Sequence, residues 1–152
     1  MRTLALAAML LPQPGVLVPG KSLAGIRLGA TPAQVERAWG RFHGTCKGCA
    51  HRTWYFTYAR FDRHGAAVEF RNGRVAAAWT LSQPAGWRTS RGLVLGTPAA
   101  QITTFYGALK ETRCRDYRAL TQVRHGSTTA FYVVGDTLWG FGLMRRQAQV
   151  CR

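Results

Sequence analysis

A short stretch that occurs twice in this chain constrains the fold more than any other feature of the sequence. Residues 25–40 align without gaps with residues 92–107. The identical positions are Gly25, Leu28, Gly29, Ala33, Gln34 and Gly40 in the first copy and Gly92, Leu95, Gly96, Ala100, Gln101 and Gly107 in the second. Because self-similarity at a fixed spacing is typical of repeat architectures, the sequence predicts two copies of one structural unit.

Each copy of the repeat predicts a short α-helix. Thr31 and Thr97 each precede a proline, and a threonine at the N-cap accepts a backbone N–H while proline at the first helical position has none to lose. Gly40 and Gly107 are expected to end the helices, because glycine readily takes the left-handed conformation of a C-terminal cap. Apolar residues at i, i+3 and i+4 form one stripe on each helix: Val35, Ala38 and Trp39, then Ile102, Phe105 and Tyr106.

Three antiparallel strands are predicted after each helix. β-Branched and aromatic residues favour strands in these segments, and Asn72-Gly73 is typical of a two-residue hairpin turn. The predicted strands cover residues 53–61, 66–71 and 74–81, then residues 118–123, 128–134 and 137–145. We therefore expect an α+β fold of two tandem repeats, each a short helix followed by an antiparallel β-meander, forming one body.

The pattern divides the 152-residue chain into three segments: a signal-like segment over 1–20, repeat 1 over 22–83 and repeat 2 over 87–152. A positive start at Met1-Arg2 and an apolar run from Leu4 to Leu11 are typical of a secretory signal. The run is too short to span a bilayer, which takes roughly 20 residues. We expect a protein that is secreted or lies on the exterior of the cell envelope, with no membrane span.

Four cysteines agree with an oxidising compartment. A small, even number of cysteines in an exported chain is more often bridged than free. Three pairings are possible. We predict Cys46 with Cys49 and Cys114 with Cys151, because each bridge then lies within one repeat and follows its helix.

The segment 43–51 is the one stretch with the spacing of a metal site. His43, Cys46, Cys49 and His51 could surround a tetrahedral Zn²⁺. A structural disulfide is the expected state, and zinc binding and a redox-active Cys-x-x-Cys pair are the alternatives. No metal and no cofactor are therefore predicted.

The first hairpin has one apolar and one basic face in the predicted register. Arg71 lies opposite Arg74 on the outer face, where like charges are tolerated only when solvated. The core face carries the pairs Phe70 with Val75, Val68 with Ala77 and Ala66 with Trp79.

The second hairpin is predicted to be apolar on both faces. With its turn at Gly135-Asp136, the core face carries Phe131, Val133 and Leu138. The outer face carries Tyr132 opposite Trp139, and Phe141 opposite Ala130. This outer set is either buried by the other sheet or forms an exposed aromatic patch that binds a partner.

Basic residues outnumber acidic ones by 21 to 6, which gives a formal charge of +15. Such an excess attracts anionic partners such as phosphate-bearing polymers, nucleic acid or acidic proteins. The alternative is that the charge only keeps the protein in solution. Nucleic acid is the less expected partner for an exported protein.

The chain offers little material for catalysis, and we predict that it is not an enzyme. Its carboxylates are scattered over the predicted elements: Glu36, Asp62, Glu69, Glu111, Asp116 and Asp136. Asp62 and His64 share a turn, but a turn aspartate that accepts its own backbone N–H is far commoner than a catalytic dyad. No nucleophile-elbow, Walker or dinucleotide-binding motif occurs.

The order of elements resembles that of the β-lactamase inhibitory protein family: a glycine-containing turn, a short Gln-Val helix ending in Trp-Gly, and a three-stranded antiparallel run, used twice with one bridge per unit. The first copy, with Gly29, Thr31, Gln34 and Val35, is also similar to the SmpA/OmlA small-lipoprotein domain. The resemblance covers residues 22–151 in layout.

The resemblance implies a concave, aromatic-studded sheet surface that clamps a partner protein. Tyr132, Trp139 and Phe141 would then lie on the working face, with Arg71 and Arg74 at its rim. The predicted function is an exported, disulfide-stabilised binding module, acting in protein–protein interaction or as an enzyme inhibitor. The alternative is a basic module that binds anions or nucleic acid, and a small enzyme is the remaining rival class.

Overall fold

The computed structural model describes residues 15–56, 64–82 and 84–152 of the chain. The predicted apolar run over 4–11, the turn residue Asp62 and the end of the strand predicted over 53–61 lie outside these residues. Within the described ranges, no helix is long and apolar enough to cross a membrane.

Short helices and many strands alternate along the described chain. In order they are β1 (Val16–Val18), β2 (Ser22–Leu23), α1 (Pro32–Trp39), β3 (Gly44–Thr45), β4 (Thr53–Tyr55), β5 (Gly65–Arg71), β6 (Arg74–Leu81), β7 (Arg88–Thr89), α2 (Ala99–Tyr106), β8 (Lys110–Arg113), β9 (Arg118–Arg124), β10 (Ser127–Val134) and β11 (Thr137–Arg145).

One antiparallel sheet of eight strands, in the order β3-β4-β5-β6-β11-β10-β9-β8, dominates the fold. A separate three-stranded sheet has the order β2-β1-β7. The predicted α+β fold of two helix-plus-meander repeats is therefore wrong, because the described chain is mostly β and strands from both predicted units share one sheet. The physical reason is the pairing of β6 with β11, which satisfies backbone groups that a separate meander would leave unpaired at its edge.

A β-bulge in the β5–β6 hairpin changes the predicted register. The turn at Asn72-Gly73 is confirmed, with positive φ of 51° and 70° at its two residues, and Phe70 lies opposite Val75 as expected. Beyond Phe70 the register shifts, so Val68 pairs with Ala78 and Ala67 pairs with Trp79. The predicted partners Ala77 and Ala66 are wrong, because one extra residue in a strand moves those beyond it to the opposite face.

A second bulge lies in the β10–β11 hairpin. Val133 pairs with Leu138, but the register then shifts and Tyr132 pairs with Gly140. Phe141 consequently lies opposite Phe131. The predicted pairs of Tyr132 with Trp139 and of Ala130 with Phe141 are therefore wrong.

The two helices begin differently. Thr31 caps α1 as predicted, in a capping box in which its hydroxyl accepts from the Gln34 N–H and the Gln34 side chain accepts from the Thr31 N–H. The prediction for Thr97 is wrong: α2 begins at Ala99, Pro98 occupies the N-cap, and no side chain caps it. Gly40 and Gly107 follow the helices as expected, but their φ/ψ values of 95°/173° and 76°/−158° differ from the predicted left-handed cap and lie in a region that is essentially restricted to glycine.

The sheet has an apolar cluster on each face. The helix side buries Leu17, Val35, Ile102, Phe131 and Phe141 completely. Leu17 belongs to β1, within the range predicted as signal-like. The opposite face, which we name the outer face, holds a second cluster that includes Ala67, Trp79, Tyr132 and Met144 and extends to Ala148, Val150 and Cys151. Residues 146–152, named the C-terminal segment, contribute to that second cluster.

Candidate functional site

The structure does not bring the three predicted partner-binding aromatics together. Phe141 is fully buried on the helix side, opposite Phe131. Tyr132 is fully buried in the outer-face cluster, and Trp139 is half-buried, with its ring 5.3 Å from that of Tyr117. The exposed aromatic patch is therefore not formed by these residues.

The C-terminal segment, rather than another sheet, supplies the cover over the outer face. The Tyr132 hydroxyl donates to the Val150 carbonyl at 2.8 Å. The Tyr117 hydroxyl donates to the Arg152 carbonyl and accepts from the Arg152 N–H. Burial raises the pKa of both tyrosines above the usual value of 10.0, so both hydroxyls stay neutral donors.

A buried ion pair holds the end of this segment. Arg152 Nη1 lies 2.9 Å from Glu69 Oε2, and its guanidinium lies 4.4 Å from the centre of the Trp79 ring. The Arg152 side chain is 6% exposed. Glu69 also accepts from Arg71 Nε at 3.1 Å, so this predicted rim residue is engaged within the protein.

Basic residues from distant parts of the chain meet at one end of the large sheet. The β5–β6 turn, the end of β9, the start of β10 and the end of β11 lie together there, because neighbouring strands are antiparallel. Ser127 pairs with Arg124 on one side and with Arg145 on the other. Arg74 starts β6 at the same end, where its Nη1 donates to the Gly29 carbonyl at 3.3 Å.

Two adjoining grooves lie at this end of the sheet. The first, of about 570 Å³, is lined by Lys21, Arg27, His125 and Arg145 together with Gly20, Leu28, Gly126 and Ser127. The second, of about 540 Å³, is lined by Arg27, Arg37 and Arg74 together with the turn 25–30, Gln34 and Ala38. Arg27 lines both grooves. We name Lys21, Arg27, Arg37, Arg74, His125 and Arg145 the basic surface.

The repeated glycine stretch positions Arg27. Gly29 N–H donates to the Val75 carbonyl at 2.8 Å, and Val75 N–H donates to the Ala30 carbonyl at 2.9 Å. These bonds fix the turn against β6, and Gly29 has a φ of 85° that a side chain would disfavour. In the second copy the aligned residue is Val94, so an arginine at this turn occurs in the first copy alone.

No carboxylate lines either groove among the described residues. Four acidic side chains are paired elsewhere: Glu36 with His43, Glu69 with Arg71 and Arg152, and Glu111 and Asp136 with Arg118. All members of the basic surface are exposed except Arg145, which is partly exposed. Positive charge at this surface is therefore not balanced by neighbouring acidic side chains, and it attracts anions.

Apart from Arg74, which was expected at the rim of an aromatic face, the members of the basic surface were not predicted from the sequence. They come from β11, from the β9–β10 turn and from segments near residues 21–37 and 74, so no local run of charge marks the surface. The formal charge of +15 was the one available signal, and it gives no position. Only the register of the sheet brings these residues to one end.

Both predicted disulfides are confirmed, Cys46 with Cys49 and Cys114 with Cys151. The zinc alternative requires free thiols at Cys46 and Cys49. His43, a proposed zinc ligand in that alternative, instead stacks on Trp54 with ring centres 3.8 Å apart, and its Nε2 lies 3.2 Å from Glu36. In the described part of the chain, no three His, Cys, Asp or Glu side chains are grouped to hold a metal ion.

Comparison of the chain with protein-family models, with curated proteins and with solved structures finds no match. The resemblance to the β-lactamase inhibitory protein and SmpA/OmlA families stays a prediction from the sequence.

Proposed function

We propose that the protein is an exported, disulfide-stabilised binding module that binds an anionic partner on the basic surface without catalysing a reaction on that partner. One observation carries the proposal. Six basic side chains line two adjoining grooves that, in the described structure, contain no carboxylate.

The residue types favour oxyanions as the groups bound. Four of the six members of the basic surface are arginines: Arg27, Arg37, Arg74 and Arg145. A guanidinium presents paired donors that match phosphate, sulfate or carboxylate oxygens, and such charge-assisted bonds are the stronger ones. The predicted partner is a molecule with several such groups.

Binding of a partner protein through the aromatic residues predicted for the outer face has less support. It requires Tyr132 and Phe141 at the surface, and both are fully buried. Arg71 is paired with Glu69, whereas Arg74 belongs to the basic surface. If the partner is a protein, we therefore propose that it is acidic and that it binds the basic surface rather than an aromatic patch.

The two disulfides support the proposal that the protein is exported to an oxidising compartment. Bridged cysteines persist in oxidising environments such as the periplasm or the extracellular space. Anionic polymers of the cell surface are abundant there, and this agrees with a partner that carries many oxyanions.

Salt dependence tests the proposal, with heparin as the polyanion probe. Affinity should fall steeply as salt rises, because bound cations of the polymer are released on binding. The variant R27Q/R145Q should bind more weakly and reduce the slope of log affinity against log salt by roughly 1.4 to 1.8, since each lost contact removes about 0.7 to 0.9.

The matched control is R113Q/R115Q, which removes the same charge from exposed residues in and after β8, at the other end of the sheet. Equal losses of affinity in the two variants would show that the net charge, rather than the basic surface, attracts the polymer. In that case the proposal is wrong.

A further inference from the structure

The two disulfides differ in the exposure of their cysteines and in the size of the loop that each one closes. Cys114 is buried in the outer-face cluster, and its partner Cys151 is partly exposed beside it. Cys49 is exposed and Cys46 is partly exposed, in a loop that follows the two-residue strand β3 at the edge of the sheet. A thiolate in solution therefore has better access to the Cys46–Cys49 bridge, because Cys49 is the one exposed cysteine among the four.

The Cys46–Cys49 bridge also contributes less to the fold. It joins residues three apart in sequence, whereas Cys114–Cys151 joins residues 37 apart. The stabilisation that a disulfide provides by restricting the unfolded chain grows with the loop it closes. Opening the small loop therefore costs the protein less stability.

Positive charge surrounds the small loop in the sequence. Lys47 lies between the two cysteines, His51 and Arg52 follow, and Arg41 precedes them. The nearest carboxylate along the described chain, that of Glu36, is 3.2 Å from His43 and so is already engaged. Cationic neighbours stabilise a cysteine thiolate, which makes it a better leaving group and favours the reduced pair.

A fully exposed aromatic residue lies close to the loop in sequence. Phe42 is 98% exposed, the highest value among the exposed large apolar residues that the structure describes. It lies four residues before Cys46, so the two Cα atoms are at most about 14 Å apart. A solvated phenyl ring can contact the apolar side chains of an unfolded polypeptide, whose cysteines are also accessible.

We propose that Cys46–Cys49 is a reactive disulfide that oxidises the dithiol of an unfolded polypeptide. This activity goes beyond the proposed function and does not use the basic surface. Cys49 is the sulfur attacked, because it is the more exposed of the two.

The exchange proceeds in two balanced steps. A substrate thiolate attacks Cys49 Sγ, the bond between the two Sγ atoms breaks, and Cys46 leaves as a thiolate with the electron pair. The second substrate thiolate attacks the substrate sulfur of this mixed disulfide and releases Cys49 as a thiolate. The substrate loses two electrons and two protons and becomes a disulfide, while Cys46 and Cys49 gain them and become two thiols.

The test uses the native oxidised protein and a synthetic unfolded peptide with two reduced cysteines. Alkylation and mass spectrometry then report which cysteines have become thiols. We expect label on Cys46 and Cys49 while Cys114 and Cys151 stay bridged. We also expect the peptide to be oxidised at least about tenfold faster than by oxidised glutathione at the same concentration, because the cationic loop supplies the better leaving group.

Two variants sharpen the result. C46A/C49A should lose the oxidation of the peptide while it keeps the Cys114–Cys151 bridge and the native circular dichroism spectrum. F42A should slow oxidation of the peptide but leave oxidation of dithiothreitol unchanged, because dithiothreitol needs no apolar contact. An unchanged peptide rate in F42A would remove the unfolded polypeptide as the substrate.

Three other results would overturn the proposal itself. They are simultaneous opening of both bridges, peptide oxidation no faster than that by oxidised glutathione, and full activity in C46A/C49A. Loss of heparin binding in R27Q/R145Q with unchanged peptide oxidation would show that the two activities are separate.

Discussion

Arg152 and Trp79 form a stacked pair on the outer face, with the guanidinium carbon 4.4 Å from the ring centre. The same guanidinium is 2.9 Å from Glu69 and is 6% exposed. One side chain thus joins the C-terminal segment to β5 and β6, and its removal tests how firmly that segment is held.

We expect R152M to lower the free energy of unfolding by about 2 to 3 kcal/mol, because Glu69 loses one of its two arginine partners in a buried site. Urea denaturation followed by tryptophan fluorescence measures the change. The control R146M alters an exposed residue of the same segment and should change stability by less than about 0.5 kcal/mol. Equal effects in the two variants would contradict the role given to the ion pair.

Burial of Tyr132 predicts a loss of stability at alkaline pH. Burial raises the pKa of Tyr132 above the unfolded value of 10.0, so the unfolded chain releases its proton first as pH rises. The stabilisation is complete below about pH 10 and decreases above it, because the unfolded state then binds fewer protons than the folded state. The free energy of unfolding, measured by urea denaturation at a series of pH values, should fall in that range.

Y132F separates this effect from other alkaline changes. It should cost about 1 kcal/mol at neutral pH, since the Val150 carbonyl loses its donor. Its stability should also depend less on pH above about 10. An alkaline decrease as steep as that of the wild type would assign the effect to other groups.

The pairing of β6 with β11 requires glycine at position 140. A Cβ atom there would lie 2.2 Å from the Thr80 carbonyl oxygen, which is far inside van der Waals contact with backbone. We expect G140A to destabilise the protein by about 2 to 3 kcal/mol or to prevent folding. In G44A, the matched control in edge strand β3, the new Cβ meets no atom within 4 Å. Thermal unfolding of both variants tests whether the two halves of the sheet are joined as described.

The unequal starts of the two helices give a paired prediction. T31A removes the hydroxyl that caps α1 and should cost about 1 kcal/mol. T97A, which alters the threonine that precedes Pro98 at the start of α2, should cost less, because no side chain caps that helix. Chemical denaturation of the two variants decides the point, and a larger loss in T97A would show that the second helix is capped after all.

Local features of the fold were predictable from the sequence, and long-range ones were not. The Asn72-Gly73 turn and the bounds of β6 and β11 follow from turn chemistry and from alternating apolar residues, which act over a few positions. Both disulfides followed from the expectation that each bridge lies within one repeat. The bulges were missed because a single extra residue leaves no mark in the composition, yet it moved Phe141 to the other face.

The candidate site is formed by strand order and register, which sequence patterns describe least well. Arg27 and Arg145 share a groove because of strand order and register, and nothing longer than the pair Arg145-Arg146 marks either residue in the sequence. The burial of Tyr132 likewise depends on the C-terminal segment, whose contacts with β5, β6 and β10 join residues far apart in sequence. The resemblance to a known family placed the binding face on the aromatic residues, but it carries no information on whether the C-terminal segment covers them.

The central pairing of β6 with β11 has a consequence for biosynthesis. A ribosome completes residues 74–81 long before residues 137–145 emerge, so the nascent chain carries an apolar strand with an open hydrogen-bonding edge throughout that interval. Pairing over such a sequence distance is also slow to form. Until residues 137–145 have been synthesised, this strand is therefore an edge that a chaperone would have to protect from pairing with other chains.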